Sequence, residues 1–84
     1  MLNRITAIEE CLTAAFQPIF LKIEDDSARH VGHTGHEGKG HFTIEIASHR
    51  FKGLTLLEQH RLVYEALKTL METDIHALKL KIRP

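Results

Sequence analysis

The stretch Ile75-His76-Ala77-Leu78-Lys79-Leu80-Lys81-Ile82 decides the fold. Apolar and basic side chains alternate along it with a period of two. That places Leu78, Leu80 and Ile82 on one face of a strand and Lys79 and Lys81 on the other. Just before it, Thr55-Leu56-Leu57-Glu58 fits a capping box, in which a threonine hydroxyl and a glutamate carboxylate satisfy free amides at a helix start. Leu62, Val63, Ala66, Leu67, Leu70 and Met71 continue the buried stripe of that helix, and the polar run Glu72-Thr73-Asp74 ends it after about four turns. Upstream, Phe42, Ile44 and Ile46 alternate with Thr43 and Glu45, which predicts another strand. The two strands are separated by a crossover of more than twenty residues that contains a helix, the connection that lets neighbouring strands run parallel.

Further back, Ile19, Leu21 and Ile23 alternate with Phe20, Lys22 and Glu24 in a first strand that ends at Asp25-Asp26-Ser27 and pairs antiparallel with the second. Leu2, Ile5, Ile8, Leu12, Ala15 and Phe16 recur at helical spacing, so residues 3–16 form an opening helix that Gln17-Pro18 stops. The expected class is α+β, with a three-stranded mixed sheet carrying its helices on one face.

The chain has 84 residues, enough for a single domain over 1–84 with a modest core and little room for a deep catalytic cavity. Eleven basic and eleven acidic residues cancel, so no global field draws in nucleic acid and any such site must be local. The lone Cys11 excludes an intramolecular disulfide and points to a reducing compartment. Glu9 and Glu10 interrupt the apolar run a signal peptide would need, and no stretch reaches membrane-spanning length, so the expected location is cytoplasmic.

Histidine is the outlier of the composition. There are seven, and His30, His33, His36 and His41 fall within a twelve-residue window. From His30 to Gly40 the chain has four glycines and a single aliphatic residue, Val31, which predicts a mobile loop between the first two strands. If the second and third strands are parallel, His76 begins its strand at the sheet end where that loop departs. Its parity with Leu78 places it on the helix-covered face, near the rim. A fixed imidazole beside adaptable ones can close around a metal ion. The plainer reading stands beside it: a rim histidine often only hydrogen-bonds, and loops of glycine and histidine bind stray divalent metals without purpose. His41, at a strand start, and His60, in the helix, read as capping or packing residues. Cys11 reads as a small core residue.

No nucleophile elbow, phosphate-cradling Gly-x-x-x-x-Gly-Lys or His-Glu-x-x-His helix is present, and Glu24, Asp25 and Asp26 end a strand beside a polar loop where carboxylates stay solvated. An enzyme is not expected.

Phe51-Lys52-Gly53, then Gln59-His60-Arg61-Leu62-Val63-Tyr64, then Ile75-His76-Ala77-Leu78, together with Phe16-Gln17-Pro18 and His41-Phe42 in the same order, resemble the signature of the BolA family. The resemblance covers nearly the whole chain. It implies a fold like a class II KH domain with one further short helix, expected near residues 72–74 or just after Gly53. It also implies partnership with a monothiol glutaredoxin and its glutathione, sharing a [2Fe-2S] cluster to which this chain supplies imidazoles in iron-sulfur trafficking or iron regulation. His76 matches the histidine of the Ile-His-Ala-Leu segment, and His30 best matches the loop ligand, with His33 and His36 as alternatives. Because cluster irons favour thiolates, no cluster is expected in the isolated chain. The competing implication is a DNA-binding transcriptional regulator of stress response and morphology, using Lys79, Lys81 and Arg83. A Gly-x-x-Gly loop with basic flanks is lacking, since Gly32 and Gly35 frame His33 and Thr34 with few cations nearby. Partners beyond these are DNA and a weak homodimer, with no membrane.

Overall fold

The computed structural model describes residues 3–26 and 40–84. A first helix, α1 (Arg4–Phe16), leads into strand β1 (Phe20–Asp25), and strand β2 (Gly40–Ala47) follows. After a 3-10 turn (His49–Phe51) come helices α2 (Leu56–Ala66) and α3 (Lys68–Thr73) and a last strand, β3 (Ile75–Ile82). β2 is central. It pairs antiparallel with β1 and parallel with β3, giving the mixed sheet β1-β2-β3 expected from the helical crossover.

The alternation in β2 builds the core. Phe42, Ile44 and Ile46 are buried and meet Ile8, Leu12 and Phe16 of α1, Val63 of α2, Leu67, Phe51 and Ile75. Burying side chains of this size contributes about 1.5–3 kcal/mol each, offset by the entropy of ordering them. Cys11 lies partly buried against this cluster, as a small apolar residue would. His41, Thr43 and Glu45 take the other side of β2, half-buried and left uncovered by the helices among the described residues.

Local chemistry sets the element ends. Asn3 caps α1, its Oδ1 accepting from the Thr6 amide at 2.8 Å. Gln17 ends the helix in the left-handed region (φ 46°, ψ 59°), its amide donating to the Thr13 carbonyl, and Pro18 prevents continuation. The capping box forms: the Glu58 amide donates to Thr55 Oγ1 at 3.1 Å and the Thr55 amide to Glu58 Oε1 at 2.9 Å. Hydrogen bonds from Thr55, its backbone amide first and its side chain second, hold the Glu58 carboxyl below its ordinary value of 4.5.

The third helix differs from expectation. It spans Lys68–Thr73, starting earlier than the expected 72–74 and overlapping it at its end, and it is made from the end of what the apolar stripe predicts as one helix. Leu67, at φ −97° and ψ 7°, breaks the helix and is itself fully buried, while Leu70 and Met71 pack on the core from the new direction. A 3.6-residue stripe survives such a break because both halves face the same sheet. Among the described residues no helix is long and apolar enough to cross a membrane.

Candidate functional site

The parallel pairing of β2 and β3 brings the starts of both strands to one end of the sheet. In a regular β3, Ile75 would share a face with Ala77, Lys79 and Lys81. Ile75 is instead 1% exposed and part of the core, and Leu78, three residues on, also packs on it. Two core positions an odd number of residues apart require one extra residue. The register supplies it: Gly40 pairs with Ile75 but His41 with Ala77, so His76 is the inserted residue of a β-bulge.

This corrects the parity argument for His76. The side chain leaves the open face of the sheet, not the helix-covered face, and it is exposed. There it meets His41, the residue whose face the bulge brings it onto, with ring centroids 5.1 Å apart and planes inclined by 57°. His41 is half-buried and its Nε2 is buried. Two backbone bonds hold the strand ends: the Asp26 amide donates to the His41 carbonyl at 2.7 Å and the Gly40 amide to the Asp74 carbonyl at 2.9 Å. Thr43 Oγ1 donates to Asp26 Oδ2, and Asp74 Oδ1 lies 3.6 Å from Arg4 Nε.

His41 is a residue that sequence reasoning assigned to capping or packing. A signal for it existed, since it opens a strand parallel to the one His76 opens. Strict alternation hid the pair by putting the two histidines on opposite faces. His30, His33 and His36 lie outside the described residues, in the segment that joins β1 to β2 at this same sheet end.

As a donor set, the end offers two neighbouring imidazoles, one of them exposed on a strand fixed by its ladder. Imidazole nitrogen is a borderline ligand suited to zinc, copper and iron. Among the described residues no group of three or more His, Cys, Asp or Glu converges on one point, and the lone thiol, Cys11, sits on the covered face. Iron-sulfur clusters favour thiolate ligands, and this end of the sheet presents imidazoles and no thiol among the described residues.

The basic residues occupy the rest of the open face. Lys79 and Lys81 are exposed on β3, beside Thr43 and Glu45. Glu45 lies between Lys81 and Lys22 of β1, and Lys22 Nζ is 3.1 Å from Glu24 Oε1. The hydrogen bond and charge of Glu24 raise the Lys22 pKa. Arg83 stacks on Phe20, 4.4 Å from the ring centroid. The expected basic stripe is therefore interleaved with carboxylates and has one of its three cations laid against an aromatic ring.

Residues 12–84 match the family model described as BolA-like protein. The chain is similar to "Protein BOLA1, chloroplastic" of Arabidopsis thaliana, 39% identical over 93% of this chain and 51% of that protein, so it spans about half of that relative's length. It is 45% identical to the "DNA-binding transcriptional regulator BolA" of Escherichia coli K12, covering 87% of this chain and 68% of that one. Among solved structures, BolA1 from Arabidopsis thaliana superposes with a TM-score of 0.85 at 37% identity, over 99% of this chain and 93% of that chain.

Proposed function

Because the chain belongs to the BolA-like family, we propose that it is a non-enzymatic interaction protein that partners a monothiol glutaredoxin with its glutathione and supplies histidine ligands to a shared [2Fe-2S] cluster. One observation carries this reading: the bulge turns His76 out of the core and onto the open face beside His41, at the sheet end where the His30-to-His36 segment joins the strands. A bulge that exposes a histidine while keeping Ile75 and Leu78 in the core is a device for presenting a side chain. His76 would be the fixed ligand and His30, or His33 or His36, the second. The partner and its glutathione would bring the sulfur.

The test mixes the purified chain with cluster-loaded monothiol glutaredoxin and follows visible circular dichroism. A new spectrum with one-to-one stoichiometry is expected, altered in H76A and in H30A. A wild-type chain that leaves the glutaredoxin spectrum unchanged refutes the proposal.

A second reading rests on the relative named as a DNA-binding transcriptional regulator. It would use Lys79, Lys81 and Arg83. Against it stand Glu24 and Glu45 on the same face, and an open face with Phe20 as its aromatic side chain, already covered by Arg83. Phosphate contacts through so few cations would be weak and sequence-blind.

A further inference from the structure

Phe51-Lys52-Gly53 and Gln59 take no part in the imidazole site, because they lie at the other end of the sheet, where β2 and β3 finish. They frame a cavity of about 410 Å³. We propose that this cavity binds an organic anion, a phosphate monoester or carboxylate carried on an apolar body.

The frame is built from local bonds. Ser48 Oγ donates to the Phe16 carbonyl at 2.6 Å and accepts from the Arg50 amide at 3.1 Å, tying the 3-10 turn to the end of α1. Gln59 reaches back from α2, its Nε2 donating to the carbonyls of Phe51 (3.1 Å) and Leu54 (3.2 Å). Gly53 completes the turn at φ +81°, a conformation that favours glycine. The turn is thus fixed before any ligand arrives, which lowers the ordering cost of binding.

The lining has two halves. Ile19, Ala47 and Phe51 make an apolar floor, and Ile19 is 65% exposed, an aliphatic side chain left facing water beside the cavity. Lys52 and Arg83 supply cations and His49 an imidazole, and no acidic side chain lines it among the described residues. Arg83 is held twice, its amide donating to the Ile46 carbonyl at 2.8 Å and its guanidinium stacked on Phe20. Stacking uses the face of a guanidinium and leaves its in-plane N–H groups for an anion. The volume falls within the range of small-molecule sites, and the mixture of apolar wall and few polar groups is their usual composition.

The experiment titrates the 15N-labelled chain with phenyl phosphate, phenylacetate, inorganic phosphate and benzyl alcohol. Either aromatic anion is expected to shift the Gly53 amide and the Gln59 side-chain amide with saturation, and the tighter of the two identifies the headgroup. Inorganic phosphate and benzyl alcohol, each carrying half of the recognised chemistry, should bind at least tenfold more weakly. The surface variant K52E/R83E, and the milder K52Q/R83Q should the first lose its fold, should weaken the anion at least tenfold, whereas H76A should leave it unchanged. Equal response to benzyl alcohol, saturation indifferent to either double variant, or no shift at these amides with any probe overturns the proposal. H76A separates this outcome from that of the cluster experiment.

Discussion

The bulge in β3 predicts opposite consequences for two adjacent residues. Ile75→Ala removes most of a side chain that is 1% exposed among Phe42, Leu67 and their neighbours, and such truncations cost about 2–5 kcal/mol. A chain of 84 residues has a total stability of roughly 4–13 kcal/mol at about 0.05–0.15 kcal/mol per residue, so the variant forfeits a large share of it. At about 4–8 °C per kcal/mol for a domain of this size, the midpoint should fall by roughly 8–40 °C. His76→Ala removes an exposed ring from the bulge and should change stability by no more than about 0.5 kcal/mol. Urea unfolding followed by far-ultraviolet circular dichroism measures both, with an unchanged m-value showing that the unfolded state is the same. Without the bulge the ranking would invert, since regular alternation places His76 with Leu78 over the core. A loss above about 2 kcal/mol in H76A, or a neutral I75A, would therefore refute the register on which the imidazole site depends.

Thr55→Ala should cost about 1 kcal/mol by leaving the Glu58 amide without its cap, read from the same urea curves. The Glu58 carboxyl is lowered in the folded state, so its contribution is present above the ordinary value of 4.5 and is lost as pH falls through the lower folded value. T55A keeps the backbone amide that is the larger cause and should flatten the acid limb only in part in a stability-versus-pH series, whereas E58Q should remove this group's share entirely. The chain purified alone and anaerobically should carry no stoichiometric iron or sulfide, checked by elemental analysis. Toward duplex DNA the free protein should show no sequence preference at physiological salt, with a log-log salt slope no steeper than about −2.7 if Lys79, Lys81 and Arg83 each neutralise a phosphate; a hundredfold preference abolished by replacing the three would favour the regulator reading.

What the sequence discloses is whatever obeys a fixed period. The β2 alternation, the capping box of Thr55 and Glu58, the stop at Gln17-Pro18 and the parallel placement of β3 all follow from side-chain patterns over a few residues, and each is present. The misses are the two places where a regular element is interrupted. At Leu67 the helix breaks while its apolar stripe runs on, and at His76 an inserted residue reverses the faces that alternation assigns. Both are set by what the core needs from Leu67, Ile75 and Leu78 together, a requirement that exists only once the elements are packed. His41 went unnoticed as a site residue for the same reason, since only the reversed phase brings it to His76. The basic residues were legible as a row, but the carboxylates facing them across β2 belong to register, which one strand read alone does not reveal.

The parallel pairing of β2 with β3 also fixes when the imidazole pair comes into being. β1 and β2 lie closer in sequence and pair antiparallel, whereas β3 reaches β2 only after α2 and α3 have carried the chain back along the sheet. Loop closure of that kind is slow because its entropy must be lost before the contacts reward it. His41 and His76, far apart along the chain, therefore meet at the late, non-local step, and a partly folded chain that has paired β1 with β2 still lacks the pair. The site is in this sense a report of completed folding: a partner that recognises both rings together engages a finished molecule and passes over a nascent one.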